Sequence, residues 1–159
     1  MSKMTLSTQS LLELLTLFDQ SNNTVQDSEG NRLHGVAGWW IQSKTDLAPT
    51  TLQTWTTRVG YAGVIDVPCA DDRVFVDINE TDDPSKYEYR CPETFCRKFV
   101  SADLVAVLDV NSTKLLNFLA DLLNIGQVKR DGIQTPRIER KLRRLGEARI
   151  GPVMTPIWL

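Results

Sequence analysis

Histidine is almost missing from this chain of 159 residues; His34 is the only one. Any Ser–His or Cys–His pair would have to use it, and it sits in a polar run, "SNNTVQDSEGNRLHG", with no nucleophile motif beside the cysteines. Cysteine is scarce as well. Cys69, Cys91 and Cys96 are odd in number and too few for a disulfide framework, so a reducing, cytoplasmic setting is expected. No apolar run approaches the roughly 18 residues that a membrane span needs, and no membrane partner is expected. The start "MSKMTLSTQS" lacks the apolar core and cleavage site of a signal peptide. A phosphate-cradling glycine loop is absent too, since "GYAG" is short and no Lys-Ser/Thr follows it. The carboxylates of "DINETDD" lack the ligand spacing and the glycine of a calcium loop. Repeats and low-complexity runs are also lacking. These absences remove the usual parts of an enzyme, and a non-enzymatic protein without a cofactor is expected.

Charge of one sign is also missing overall: the net charge is −2. The molecule as a whole therefore attracts neither phosphate nor anionic lipid, and such binding must come from a local patch. Locally the balance is uneven. From Ala62 to Thr94 nine acidic residues face three basic ones, a net of −6, and from Ile125 onward eight basic residues face three acidic ones, a net of +5. The two segments either neutralise each other or leave a basic face for an anionic partner.

What is present is a globular composition, 42% apolar and 24% charged. "STQSLLELLTLFDQ" predicts a helix, with Leu11, Leu12, Leu15 and Phe18 at helical spacing and Ser7 or Thr8 as its cap. The polar stretch after it predicts a loop. "VAGWWIQSK" suits either a buried strand or a short helix. "LAPTTLQTWTTRVG" predicts a helix over 49–59. Pro49 fits its first position, Leu52, Trp55 and Val59 share one face, and Gly60 stops it. The five threonines favour a strand, but alternation would leave neither face dry.

"YAGVIDV" and "RVFVDI" predict a hairpin across "PCADD", and "KYEYRC" with "CRKFV" a second one around "PETF". "DLVAVLDV" predicts a strand. "NSTKLLNFLADLLNIG" predicts a helix capped by Asn111 or Ser112, with Leu115, Leu119 and Leu122 on its core side and Gly126 closing it. "RIERKLRRLG" suits a helical segment, and "ARIGPVMTPIWL" a terminal hairpin or an apolar tail for a partner. The boundary "DDP" at Asp82 suggests domains at 1–82 and 83–159. Trp39, Trp40, Trp55 and Trp158 are scattered, so core packing is their expected role.

The segment "TDLAPTTLQTWTTRVGYAGVIDV" resembles the second half of a winged helix-turn-helix domain, on Ala48, Pro49, Thr50, Thr51, Leu52, Gly60, Gly63 and Ile65, within residues 36–78. The resemblance implies an α+β fold, a winged helix-like N-terminal part followed by a β-hairpin and helix. It implies transcription regulation by a dimeric protein whose partner is double-stranded DNA. Thr50, Thr51, Gln53, Thr54 and Thr57 would enter the major groove, and Lys44 and Arg58 would hold phosphates. Residues 1–60 carry a net charge of −1 and the wing tip would be Asp71-Asp72, so Lys129, Arg130, Arg140 and Arg144 are expected to supply the remaining phosphate contacts. The alternative is a protein-interaction module that never touches nucleic acid. Cys69, Cys91, Cys96 and His34 form one further candidate set, a zinc site, against which stand ordinary buried thiols or a Cys91–Cys96 cross-strand bond.

Overall fold

Helix α1 (Thr8–Gln20) begins where the Ser7 hydroxyl accepts the Ser10 N–H at 3.1 Å. Ser7 thereby satisfies one of the orphan donors of the first turn. This computed structural model describes residues 5–123 and the backbone of 144–150 and 153–158. Leucines cover more than half of the circumference of α1, so spacing alone does not fix its inner side. The structure buries Leu14 and Leu17 and leaves Leu12 55% exposed, which turns the expected face by about one position.

The polar stretch expected to be a loop is a small hairpin, β1 (Thr24–Gln26) against β2 (Arg32–His34). Its turn is built by Asp27, whose carboxylate accepts the N–H groups of Glu29 and Asn31 at 2.9 and 2.8 Å, with Gly30 at φ +85°. A side chain that mimics backbone makes a turn from residues that carry no hydrophobic period.

"VAGWWIQSK" takes both of its expected forms. Val36–Ala37 is a buried strand, β3, and Gly38–Lys44 is a helix, α2. The loop Thr45–Ala48 then leads to α3 (Pro49–Trp55), with Pro49 in its first turn. This helix is shorter than expected. It ends at Trp55, and Thr56–Tyr61 is a strand, β4. At the junction the Thr56 N–H and hydroxyl both donate to Leu52 O, closing the last turn. Beyond it the β-branched Thr56 and Thr57 find a sheet partner, β10 (Ala106–Val110), whose ladder replaces the helical hydrogen bonds. Val59 is the unmatched residue of a bulge in that ladder and is 40% exposed, not part of a dry face. Gly60 does not stop a helix; a Cβ there would stand 2.6 Å from Leu33 Cδ1.

Strand β10 lies between β3 and β4, antiparallel to both. It follows a single turn of helix, α4 (Ala102–Val105), in the segment expected to be all strand. Two further hairpins lie between β4 and α4 in sequence. Strands β5 (Val64–Cys69) and β6 (Asp72–Asp77) join at Ala70-Asp71, where Ala70 holds φ +52°. The short β7 (Asn79–Glu80) pairs with β8 (Lys86–Arg90), which pairs with β9 (Arg97–Ser101) around "PETF" as expected. Inward residues of these hairpins, Ile65, Val67, Val76, Tyr87 and Tyr89, form one core cluster with Ile78 and Val105. The fold class is α+β.

The chain divides into two compact units, Met1–Val110 and Asn111–Leu159. In the second, α5 (Ser112–Leu122) is capped by Asn111, whose side chain accepts the Lys114 N–H. Its buried residues are Leu115, Leu116 and Ala120, while Leu122 is exposed, so the helix is rotated from the expected Leu115–Leu119–Leu122 face. Strands β11 (Arg144–Ile150) and β12 (Val153–Trp158) form the terminal hairpin. Arg144, Leu145 and Gly146, expected to be helical, belong to β11; the rest of "RIERKLRRLG" and the closing Gly126 lie outside the described residues. Among the described residues no helix is long and apolar enough to cross a membrane.

Candidate nucleic-acid interface

Helix α3 turns Trp55 inward to 2% exposure and leaves Thr50, Gln53 and Thr54 exposed, with Thr51 half-buried. A two-turn helix with one anchored aromatic presents only one outward face, and these residues make it. The Thr54 hydroxyl donates to Thr50 O at 2.8 Å. Lys44 is exposed in the last turn of α2, where a cation complements the helix dipole.

Thr57 and Arg58 are strand residues, not helix residues. Successive strand side chains point to opposite faces of a sheet, so the two cannot act together on one surface. Arg58 joins the α3 face and Thr57 does not. Arg58 and Gln53 line one groove of about 920 Å³, whose apolar lining includes Ile41, Leu47, Leu52 and Leu108. The Arg58 guanidinium lies over the Tyr61 ring, 5.0 Å from its centroid. That stacking holds the side chain in place while its N–H groups stay available. Asp46 and Asp103 line the same groove, so its charge is mixed. Tyr61 and Asp103 had no signal in the sequence, because β4 and α4 are brought together only by pairing across some forty intervening residues.

Lys129, Arg130 and Arg140 lie outside the described residues, and Arg144 opens β11. The acidic tip falls at the β5–β6 turn as expected, with Asp71 in the turn and Asp72 opening β6. Behind it Arg73 Nε pairs with Asp66 at 2.9 Å, so this arginine is already engaged.

The candidate zinc set does not assemble. His34 is on β2, Cys96 is exposed, and among the described residues no three His, Cys, Asp or Glu side chains form a group that could hold a metal ion. Instead Cys69 Sγ lies 4.0 Å from Glu93 Oε2, in the turn that follows Cys91. The Thr94 hydroxyl and the N–H groups of Thr94 and Glu93 bond the Cys91 sulfur, and Lys98 adds positive charge. These lower its pKa from the ordinary 9.0 to about 7. Burial first, and then Cys91 and Glu93, push Cys69 the other way.

Two consequences have opposite sign. The depressed Cys91 pKa adds stability as pH rises from about 7 to 9, and that gain is lost as pH falls through about 7. The raised Cys69 pKa adds stability below 9.0 that is lost at higher pH. Thiolate absorbance of the reduced, folded chain should therefore show a step near pH 7 that Cys91→Ser removes and Cys96→Ser keeps. A single step near 9 in the parent chain would contradict this hydrogen-bonded thiolate.

Compared with known proteins, the chain matches no family model, no curated protein and no solved structure.

Proposed function

We propose that this chain is a non-enzymatic DNA-binding regulatory protein that reads a duplex through α3. The carrying observation is the pair α2–α3, a helix, the turn Thr45–Ala48 and a second helix whose hydroxyl and amide side chains face outward. Within residues 36–78, β3, α2, α3 and β4 follow one another, and the helix–turn–helix–strand run among them supports this reading. In this reading Gln53 makes the base contact, since an amide can bond adenine N6 and N7 together. Thr50 and Thr54 add hydroxyl contacts, and Lys44 and Arg58 set the register on phosphates.

Electrostatics makes the proposal quantitative. Each phosphate neutralised contributes a slope of about −0.9 to the log–log dependence of affinity on salt. Two contacts, Lys44 and Arg58, give a loss of only about 12-fold between about 50 and 200 mM salt. If Lys129, Arg130, Arg140 and Arg144 share the duplex, six contacts give a loss on the order of 10³-fold over the same range. Mobility shifts at several salt concentrations separate the two cases. On a specific site Gln53→Ala should remove about 1–3 kcal/mol of discrimination and leave the salt slope unchanged. Lys44→Ala should weaken all duplexes alike and lower the slope by about one contact.

A second reading is a protein-interaction module. It is favoured by Phe75, Phe95 and Phe99, each more than half exposed on the two hairpins. Aromatic side chains are enriched at protein interfaces, where such exposure is removed. Failure to retain any random-sequence duplex at about 50 mM salt would rule out the DNA proposal and leave this one.

A further inference from the structure

Strand β5 sends Ile65 and Val67 into the core, and Cys69 is the next residue in that alternating row. Strand β8 sends in Tyr87 and Tyr89, and Cys91 is next in its row. The two rows share one cluster, and the contact of Cys69 with Glu93 puts the next residue of each row at the same end of it. The Cys69 sulfur reaches Glu93, two residues beyond Cys91, at 4.0 Å, and Cys91 is close enough to push the Cys69 pKa up. Cys91 is buried, while Cys96, opposite it at the hairpin mouth, is exposed. In the sequence the nearest thiol to Cys91 is Cys96; in the fold all three thiols are free, and Cys69 lies at the same turn.

We propose that Cys69 and Cys91 are a reversible dithiol–disulfide pair that closes when the protein meets a peroxide, joining the β5–β6 hairpin to the β8–β9 hairpin. The inference stands apart from the DNA-binding reading and needs nothing from it. The Cys91 sulfur, held by the Thr94 hydroxyl and by the backbone N–H groups of the turn, is the nucleophile. It attacks one oxygen of hydrogen peroxide. The S–O bond forms, the O–O bond breaks, and hydroxide leaves to take up a proton as water. The Cys69 sulfur then attacks the sulfenic sulfur. The S–S bond forms, the S–O bond breaks, and a second water leaves with the proton that Cys69 gives up. Glu93, the carboxylate 4.0 Å from Cys69 Sγ, is placed to accept that proton on its way. Overall two thiols lose two electrons and two protons, and one peroxide becomes two waters. A thiol reductant reverses the change by exchange.

The test uses the reduced full chain, treated with hydrogen peroxide, alkylated and mapped by mass spectrometry without reduction. The expected product is a Cys69–Cys91 linked peptide with Cys96 alkylated, abolished by dithiothreitol. Cys96→Ser should form the same link. In the C69S/C96S chain no resolving thiol remains, so the Cys91 sulfenic acid should be captured by dimedone. Glu93→Gln should accumulate that sulfenic acid in a chain that still holds Cys69. A link that includes Cys96, or three fully alkylated thiols after peroxide, overturns the proposal. Absence of dimedone capture in C69S/C96S overturns the assignment of Cys91 as the attacking sulfur.

Discussion

Gly38→Ala is expected to destabilise the first unit by about 3 kcal/mol or more, lowering its Tm by about 12 °C or more. Helix propensity argues for the opposite sign, since Ala is favoured over Gly by about 1 kcal/mol inside a helix. The packing decides. A Cβ at Gly38 would stand 1.9 Å from the Asp103 carbonyl oxygen and 3.0 Å from its carbonyl carbon. Those are backbone atoms of α4 and cannot swing aside as a side chain can. Overpacking against a fixed backbone outweighs the propensity gain. Gly30→Ala is the control, because nothing lies within 4 Å of its Cβ position and only the cost of φ +85° remains, about 1–2 kcal/mol. Thermal melts of the two variants should rank them in that order. A Gly38→Ala chain that melts at or above the parent would refute the close approach of α2 to α4.

Trp55→Ala should cost about 3–5 kcal/mol, a large part of the stability of a small unit. The side chain is 2% exposed and is the sole fully buried residue of α3, so its removal leaves a cavity where the helix is anchored. Duplex binding should fall with the fold. Gln53→Ala removes an exposed side chain of the same helix and should leave the melt within about 0.5 kcal/mol of the parent. The pair thus separates a residue that holds α3 from one that α3 presents. Equal losses of stability from both would mean that α3 is not seated by its tryptophan.

Much of this architecture can be read locally in the sequence. The α5 helix follows from leucine spacing and the Asn111 cap, and the β8–β9 hairpin from "PETF" between two alternating runs. The β5–β6 hairpin follows in the same way from its short polar turn. Where local preferences compete, tertiary structure decides. In "TTLQTWTTRVG" the period of Leu52, Trp55 and Val59 favours a helix and the threonines favour a strand, and both win, with the change at Trp55. What tips Thr56 onward is β10, about fifty residues away, which no local window contains. The face of α1 was illegible for another reason: with leucines over more than half of its circumference, only the packed partner selects Leu14 and Leu17. For the candidate interface, Lys44, Thr50, Gln53 and Thr54 lie where the sequence implies. The move of Thr57 and Arg58 onto a strand, and the meeting of Cys69 with Cys91, depend on distant pairing.

The direct passage of α3 into β4 carries a mechanical consequence. No linker separates them, since Thr56 caps the helix and is also the strand residue paired with Val110. Tilting α3 would pull on that first rung of the ladder, so the helix has no hinge with which to adjust its angle to a visitor. Whatever docks there must come to a fixed template. Little disorder has to be frozen out on contact, and a mismatched shape is rejected because the platform will not bend to meet it.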